Sequence, residues 1–246
     1  QTARSAKKLK SERRLALTGT PIENRLSELW SIFDFVSPGL LGQLKMFEER
    51  VARPIDRGDM ETAHRLRSTI KPFVMRRVKS DVAQDLPDKI EQEMIVPLAE
   101  EQAKLYKQVL GQVRKSVLSE VEKKGVSKAQ IQILAALTRL RQVACDPRLM
   151  KLPDTNFEAD DSGKLGALRE IIDEAVDGNH RVLVFSQFVE MLNHIRAALD
   201  ADGVQYEYLD GSTKDRIDRV DRFNEDTSVP VFLISLKAGG TGLNLT

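Results

Sequence analysis

RVLVFSQFVEMLNHIRAALDADGVQYEYLDGSTKDRIDRVDRFNEDTSVPVFLISLKAGGTGLNLT, residues 181–246, alternates two hydrophobic periods. Arg181 to Phe185 is a short apolar run that reads as a buried strand, and Phe188, Met191, Leu192, Ile195 and Leu199 then fall at helical spacing. After a turn at Asp202-Gly203, Val204 to Leu209 reads as a second strand, Ile217, Val220 and Phe223 as a helix stripe, and Val229 to Ser235 as a third strand. Ser212 and Asp215 have capping-box spacing and are expected to start the helix between them. Upstream, Leu165, Leu168, Ile171, Ile172 and Ala175 mark one more helix. Repeated helix-then-strand units predict an α/β fold with a parallel sheet, whose ligand loops lie at the carboxyl ends of the strands.

The first forty residues show the theme once more. Lys7, Lys8, Lys10, Arg13 and Arg14 precede an expected short strand, Leu15 to Leu17, which runs into the loop Thr18-Gly19-Thr20-Pro21. Asn24 is expected to cap a helix carrying Leu26, Leu29, Trp30 and Phe33, and Ser37-Pro-Gly39 to stop it. Between the α/β ends, residues 45–80 and 99–145 are charged and helix-rich. Tyr106, Leu110, Val113, Val117 and Val121 share one face of a long helix, and Ile131, Leu134, Leu137 and Leu140 another. Leu86-Pro87-Asp88 and Lys151 to Asp161 read as linkers. The expected division is 1–90, 91–160 and 161–246.

Composition narrows the class. The 246 residues carry 38 Lys plus Arg against 37 Asp plus Glu, so the net charge of +1 supplies no global field, and any polyanion site must be a local patch. No apolar stretch approaches the roughly 18 residues of a membrane span, which argues against a membrane partner. The single cysteine, Cys145, cannot form an intrachain disulfide and has no metal-ligand spacing around it. A start at Gln1 and an end just after Leu243 and Leu245 read as part of a longer protein.

Three loops stand at the ends of expected strands: Thr18 to Pro21, Asp210-Gly-Ser-Thr213, and the glycine-rich Leu236-Lys-Ala-Gly-Gly-Thr-Gly242. Each can present backbone N–H groups and hydroxyls to phosphate oxygens; each alone reads more readily as a turn or a helix terminus, and the three together favour a phosphate-facing role. Ser162-Gly-Lys164 is not a Walker loop, because Leu165 replaces the hydroxyl after the lysine and Asp160 and Asp161 precede it. His64, His180 and His194 lie far apart without paired ligands, so no metal site is expected. Arg76, Arg77 and Lys79, beside Phe73 and Met75, fit a contact with phosphates or with a partner lobe and, equally, a solvated basic face. No nucleophile with a neighbouring base is evident.

At these loops the sequence resembles the Swi/Snf-type ATPases, helicase-like motors of superfamily two. LALTGTPIENRLSELWSIFDFVSPGLLG (15–42) is similar to the third helicase motif, and KPFVMRRVKSDVAQDLPDK (71–89) to the basic segment after the first helical protrusion. LRQVACDPRLM (140–150) resembles the helix end before the second lobe, and DSGKLGALREII (161–172) the segment that opens it. RVLVFSQFVEML (181–192), YLDGST (208–213) and VFLISLKAGGTGLNLT (231–246) resemble motifs four, four-a and five.

The resemblance implies RecA-like parallel-sheet lobes, the end of the first and most of the second, with helical Swi/Snf-type insertions. It implies a motor that uses ATP and Mg²⁺ in the full-length parent, grips double-stranded DNA and remodels protein–DNA complexes. Its Walker, acidic and arginine-finger motifs are expected outside residues 1–246, so no catalytic residue is expected within them and this part alone is expected to be inactive. Thr18, Gly19, Thr20 and Pro21 are implied to couple the nucleotide state to the cleft. Ser186, Gln187, Ser212, Thr213, Lys237, Gly239, Gly240, Thr241 and Asn244 are implied to meet DNA phosphates or the interlobe face. A strand-separating helicase and an inactive DNA-binding scaffold on the same lobes are the alternatives. The short protrusions resemble bacterial members, which implies a cytoplasmic, nucleoid location; a eukaryotic member would be nuclear.

Overall fold

Val231–Ser235 is buried at every residue and carries a partner on each side. It is the central strand of a parallel sheet in which, among the described residues, the order is β1 (Val182–Ser186), β3 (Val231–Ser235), β2 (Tyr206–Leu209). This computed structural model describes residues 5–19, 21–22, 25–77, 87, 89–153, 155–239 and 243–245. Elements before the sheet are α1 (Leu26–Val36), α2 (Leu44–Phe47), a π turn (Glu48–Ala52), α3 (Arg53–Asp56), α4 (Met60–Ile70), α5 (Glu100–Lys124), α6 (Val126–Cys145) and α7 (Gly163–Asp177). Helices α8 (Val189–Asp202) and α9 (Arg216–Glu225) connect the strands, and α10 (Leu236–Gly239) follows β3.

Side chains alternate across a strand, so β3 supplies both faces. Val231 and Leu233 join Leu165, Ile172, Val184, Met191, Leu192, Ile195 and Leu199 in one apolar cluster. Phe232 and Ile234 join Leu209, Val220, Phe223, Val229 and Ala238 in another. A parallel strand covered on both faces reads as an unbroken apolar run, which is how VFLIS appears in the sequence. Gly203 closes α8 in the left-handed region, with φ 71°, where glycine carries no Cβ penalty.

The chain divides into two units, Gln1–Glu91 and Gln92–Thr246. In the first, Leu29 and Phe33 are the buried residues of α1, and Phe33 meets Phe73 edge-on at 6.4 Å. Arg14 donates to the Phe35 and Leu9 carbonyls at 3.0 Å each, and Lys7 pairs with Asp34 and lies 4.7 Å over the Trp30 ring. The stop expected at Ser37-Pro-Gly39 is present: α1 ends at Val36, and the Ser37 N–H donates to the Phe33 carbonyl.

Two local expectations are corrected and a third falls outside the described residues. Leu15 to Leu17 is not a strand; Leu15 is 78% and Leu17 90% exposed. A strand is stable only against a neighbour, and the described residues of this unit hold no strand to pair with it. The capping box at Ser212 and Asp215 does not form, because Asp215 sits at the N-cap with its carboxylate on Arg219 rather than on a helix N–H, and Ser212 turns to Asp210. Helix α1 begins after Arg25, which makes no side-chain cap; Asn24 lies outside the described residues.

In the helical hairpin α5–α6, the face of α6 that is buried is Ala129, Ala136 and Val143, seven residues apart, while Ile131, Leu134 and Leu137 face outward. Small side chains let two helix backbones approach closely, which an apolar count does not register. Leu152 and Phe157, within the expected linker, pack against the cluster of Leu105, Val109 and Val143.

Candidate functional site

The parallel sheet brings the ends of β1, β2 and β3 to one edge, and side chains fasten their loops to each other. Ser235, the last residue of β3, is buried, and its Oγ accepts from the Ala238 N–H at 3.3 Å, starting α10. Arg216, first residue of α9, donates from Nη2 to the Ala238 carbonyl at 3.1 Å, joining the β2-to-α9 connection to the loop after β3. Gly239 lies against the end of β1: a Cβ there would stand 3.1 Å from Phe185 Cε1 and 3.3 Å from Ile234 Cγ2. Glycine at 239 is what lets this backbone lie on Phe185.

The loop Asp210 to Thr213 is organised by a residue not singled out from sequence. Asp210 Oδ1 accepts from Ser212 N–H at 2.8 Å, Ser212 Oγ at 2.7 Å, Thr213 N–H at 3.2 Å and Thr213 Oγ1 at 3.3 Å. Its Oδ2 accepts from the Tyr208 hydroxyl at 2.8 Å, and Thr213 Oγ1 in turn accepts from the Asp210 N–H at 3.0 Å. The Ser212 hydroxyl, with these other donors, holds the Asp210 carboxyl down at about 2, against the cost of burial. Burial first, and the hydrogen bond to Asp210 second, push the Tyr208 hydroxyl up to about 12. An aspartate before Gly-Ser-Thr at a strand end is the signal that could have revealed this Asx-type turn.

Behind the loop, Glu207 is fully buried on the α9 face of β2, where its neighbour on that face, Leu209, is apolar. Arg219 Nη1 lies 2.9 Å from Glu207 Oε2 and Arg222 Nη1 2.8 Å from Oε1. Two arginines three residues apart on α9 thus neutralise a carboxylate that would otherwise be expelled. Beside β2 a cavity of about 640 Å³ is lined by Arg196 on α8, Tyr206 and Tyr208 on β2, Lys214 just before α9 and Arg219 on α9, among others, with the Arg196 guanidinium 4.7 Å over the Tyr208 ring.

Of the residues named from sequence, Ser186, Gln187, Ser212, Thr213, Lys237 and Gly239 gather at this edge. Ser186 Oγ accepts from the Phe188 N–H at 3.1 Å and donates to its carbonyl at 3.0 Å, closing the turn into α8. Gln187 Oε1 accepts from Arg141 on α6. Lys237 is exposed on α10. Asn244 is exposed between Leu243 and Leu245, which pack on the α9-side cluster, and its carbonyl accepts from Asn224 at 3.0 Å. Thr18, Gly19 and Pro21 belong to the N-terminal unit and are exposed. Thr20, Gly240, Thr241 and Lys79 lie outside the described residues. The Gly-Lys pair at the start of α7 offers no phosphate cradle: a Cβ on Gly163 would meet the Pro97 carbonyl oxygen at 2.3 Å, so main chain already covers that helix end.

The profile of the SNF2-related domain matches residues 1–149. The chain belongs to the SNF2-related family. A helicase conserved C-terminal domain matches residues 163–246 of this SNF2-related chain. It is 38% identical over 253 residues to the putative ATP-dependent helicase/translocase YwqA of Bacillus subtilis, covering 99% of this chain and 27% of that protein. It is 35% identical over 272 residues to the human DNA excision repair protein ERCC-6, covering 98% of this chain and 18% of that one. The SNF2-related chain thus spans about a quarter or less of these relatives.

Among solved structures, the Sulfolobus solfataricus SWI2/SNF2 ATPase core domain matches with TM-score 0.56 and 38% identity over 99% of this chain and 51% of that one. The same core in complex with dsDNA matches with TM-score 0.52 and 35% identity, over 95% and 50%. The SNF2-related chain has the RecA-like α/β fold of these cores. No helix among its described residues is long and apolar enough to cross a membrane.

Proposed function

We propose that the full-length protein is an ATP-driven translocase on double-stranded DNA that remodels protein–DNA complexes, and that this chain supplies part of its grip on the duplex. The observation that carries the reading is the collection of three strand-end loops on one sheet edge, with Ser186, Gln187, Ser212, Thr213, Lys237 and Gly239 among them. In open parallel sheets ligands sit outside the carboxyl ends of the strands. The names of the relatives support ATP use, and the dsDNA complex of the similar core supports the choice of partner.

ATP, with Mg²⁺, would supply the energy in the full-length protein; the start of α7 does not fit its phosphates. The residues here act on the duplex side. Lys237 offers an exposed charge to a backbone phosphate, and Gly239 allows close approach. Asp210 holds the Ser212 and Thr213 turn in one shape before any ligand arrives, so the loop meets the duplex without ordering cost, its two hydroxyl protons already given to Asp210. Phosphate contacts track a strand without reading bases, so binding is expected to tolerate any sequence and to weaken with salt. Thr18 to Pro21, with the same exposure, would couple the nucleotide state to this grip. The location would be the bacterial nucleoid, a choice supported only by the bacterial source of YwqA.

The test is the steady-state ATPase rate of the full-length protein with and without duplex DNA. Stimulation by blunt duplex without separation of a forked substrate is the expected result. Equal rates would replace the motor with a scaffold, and unwinding of the fork would make it a strand-separating helicase.

A further inference from the structure

One side chain ties the hairpin α5–α6 to the sheet-bearing layer. Gln102, in the first turn of α5, is fully buried. Its Oε1 accepts from the Ala99 N–H at 3.2 Å and the Gly163 N–H at 3.3 Å, and its Nε2 donates to the Val143 carbonyl at 2.8 Å. These backbone groups belong to three segments: the entry to α5, the first residue of α7 and the last turn of α6. A space-filling role in a core suits leucine or methionine; an amide whose two ends satisfy three separate segments fixes their relative placement.

The surroundings reinforce the junction. Gly163 has no room for a Cβ beside the Pro97 carbonyl, so the segment entering α5 lies directly on the start of α7. Ser162 Oγ donates to the Cys145 carbonyl at 3.2 Å and accepts from the Leu165 N–H at 3.3 Å, which joins the end of α6 to the first turn of α7 a second time. Asp146, also fully buried, accepts from Arg148 Nε at 2.9 Å and Nη2 at 2.7 Å just beyond α6. At the other end of the path, Arg141 on α6 donates to Gln187, next to Ser186 at the end of β1.

We infer that Gln102 is a positioning residue that makes the hairpin and the strand-end loops one lever, so that displacement of the hairpin turn at Gly125 reaches Gln187. The lever consists of α5–α6, and Gln102 fixes its base. Whatever moves the turn moves the β1 loop with it, without bending at residues 99–102 or 143–145.

The test uses the full-length protein with Cys145→Ser and spin labels at K123C, near the hairpin turn, and D177C, at the end of α7. A single narrow distance distribution is expected without further change. Q102M, which keeps the bulk and loses the three bonds, should at least double its width. Q102E, whose carboxylate still accepts from Ala99 and Gly163, should recover part of the narrowing. An unchanged width in folded Q102M would overturn the proposal. A second reading needs no substitution at 102: the Ala99 and Gly163 amides should exchange hydrogen at one common rate, and rates more than tenfold apart would overturn it even if Q102M does not fold. A kinetic arm rests on the proposed function: Q102M should lower the DNA-stimulated kcat several-fold while leaving the KM for ATP unchanged. A protein with no DNA stimulation at all would fail that earlier reading, and the distance and exchange results would still decide this one.

Discussion

The N-terminal unit and the sheet-bearing layer hold themselves together by different means. In the first, long cationic side chains reach back over an aromatic helix: Lys7 to Asp34 and Trp30, Arg14 to Phe35. In the second, a parallel ladder is buried between two apolar clusters, and the buried carboxylate of Glu207 is met by Arg219 and Arg222. The contrast teaches where a substitution will be felt. A residue in the ladder has neighbours on every side, so its loss is shared by the whole layer, whereas an exposed residue of the N-terminal segment is a local matter.

The largest expected effect is Phe223→Ala, on α9 in the cluster that covers one face of the ladder. Phe223 is 3% exposed, lies 5.2 Å from Phe232 and is covered by the Arg181 guanidinium at 3.9 Å. Its truncation should lower unfolding free energy by about 3–5 kcal/mol in denaturant titration. A loss under 1 kcal/mol would mean that the cluster is far looser than described.

Next is Asp210→Asn, which removes a charged acceptor of five hydrogen bonds and should cost about 1.5–3 kcal/mol near neutral pH. Its pH dependence has a definite sign. Because folding lowers the carboxyl to about 2, its contribution is complete above the unfolded carboxylate range near 4 and is lost as pH falls through about 2. The stability gap between the variant and the unsubstituted protein should thus stay constant from pH 7 to 5 and close towards pH 2. A gap that widened on acidification would contradict the assignment. The smallest effect belongs to Leu17→Ala: at 90% exposure it should stay within about 0.5 kcal/mol by the same titration.

The sheet was legible in the sequence because its signal is local and redundant. VFLIS is apolar at every position, the helices before and after it show clear stripes, and Gly203 stands where a left-handed residue is required. Leu15 to Leu17 looks equally apolar but lacks, among the described residues, what apolarity cannot supply, a strand to pair with. The α6 stripe misleads for a related reason: Ile131, Leu134 and Leu137 are the larger residues, yet Ala129 and Ala136 make the close approach. Glu207 would be placed on a solvated face until Arg219 and Arg222, on a different element, come into view. Gln102 gives no periodic signal at all, since its three partners are backbone groups as far away as Val143 and Gly163. At the candidate site, residue types were readable and connectivity was not. Ser212 and Thr213 look like free phosphate donors, but the structure shows them engaged by Asp210, which leaves Lys237 as the exposed charge at this edge among the residues named from sequence.

Lys237 is therefore the residue on which DNA contact at this edge turns. The affinity of the full-length protein for a duplex should be measured across a range of salt concentrations, with and without Lys237→Ala. If the strand-end edge meets the DNA backbone, the substitution should reduce the slope of log affinity against log salt by about 1 and weaken binding equally for duplexes of different sequence. An unchanged slope would place the DNA elsewhere on the protein.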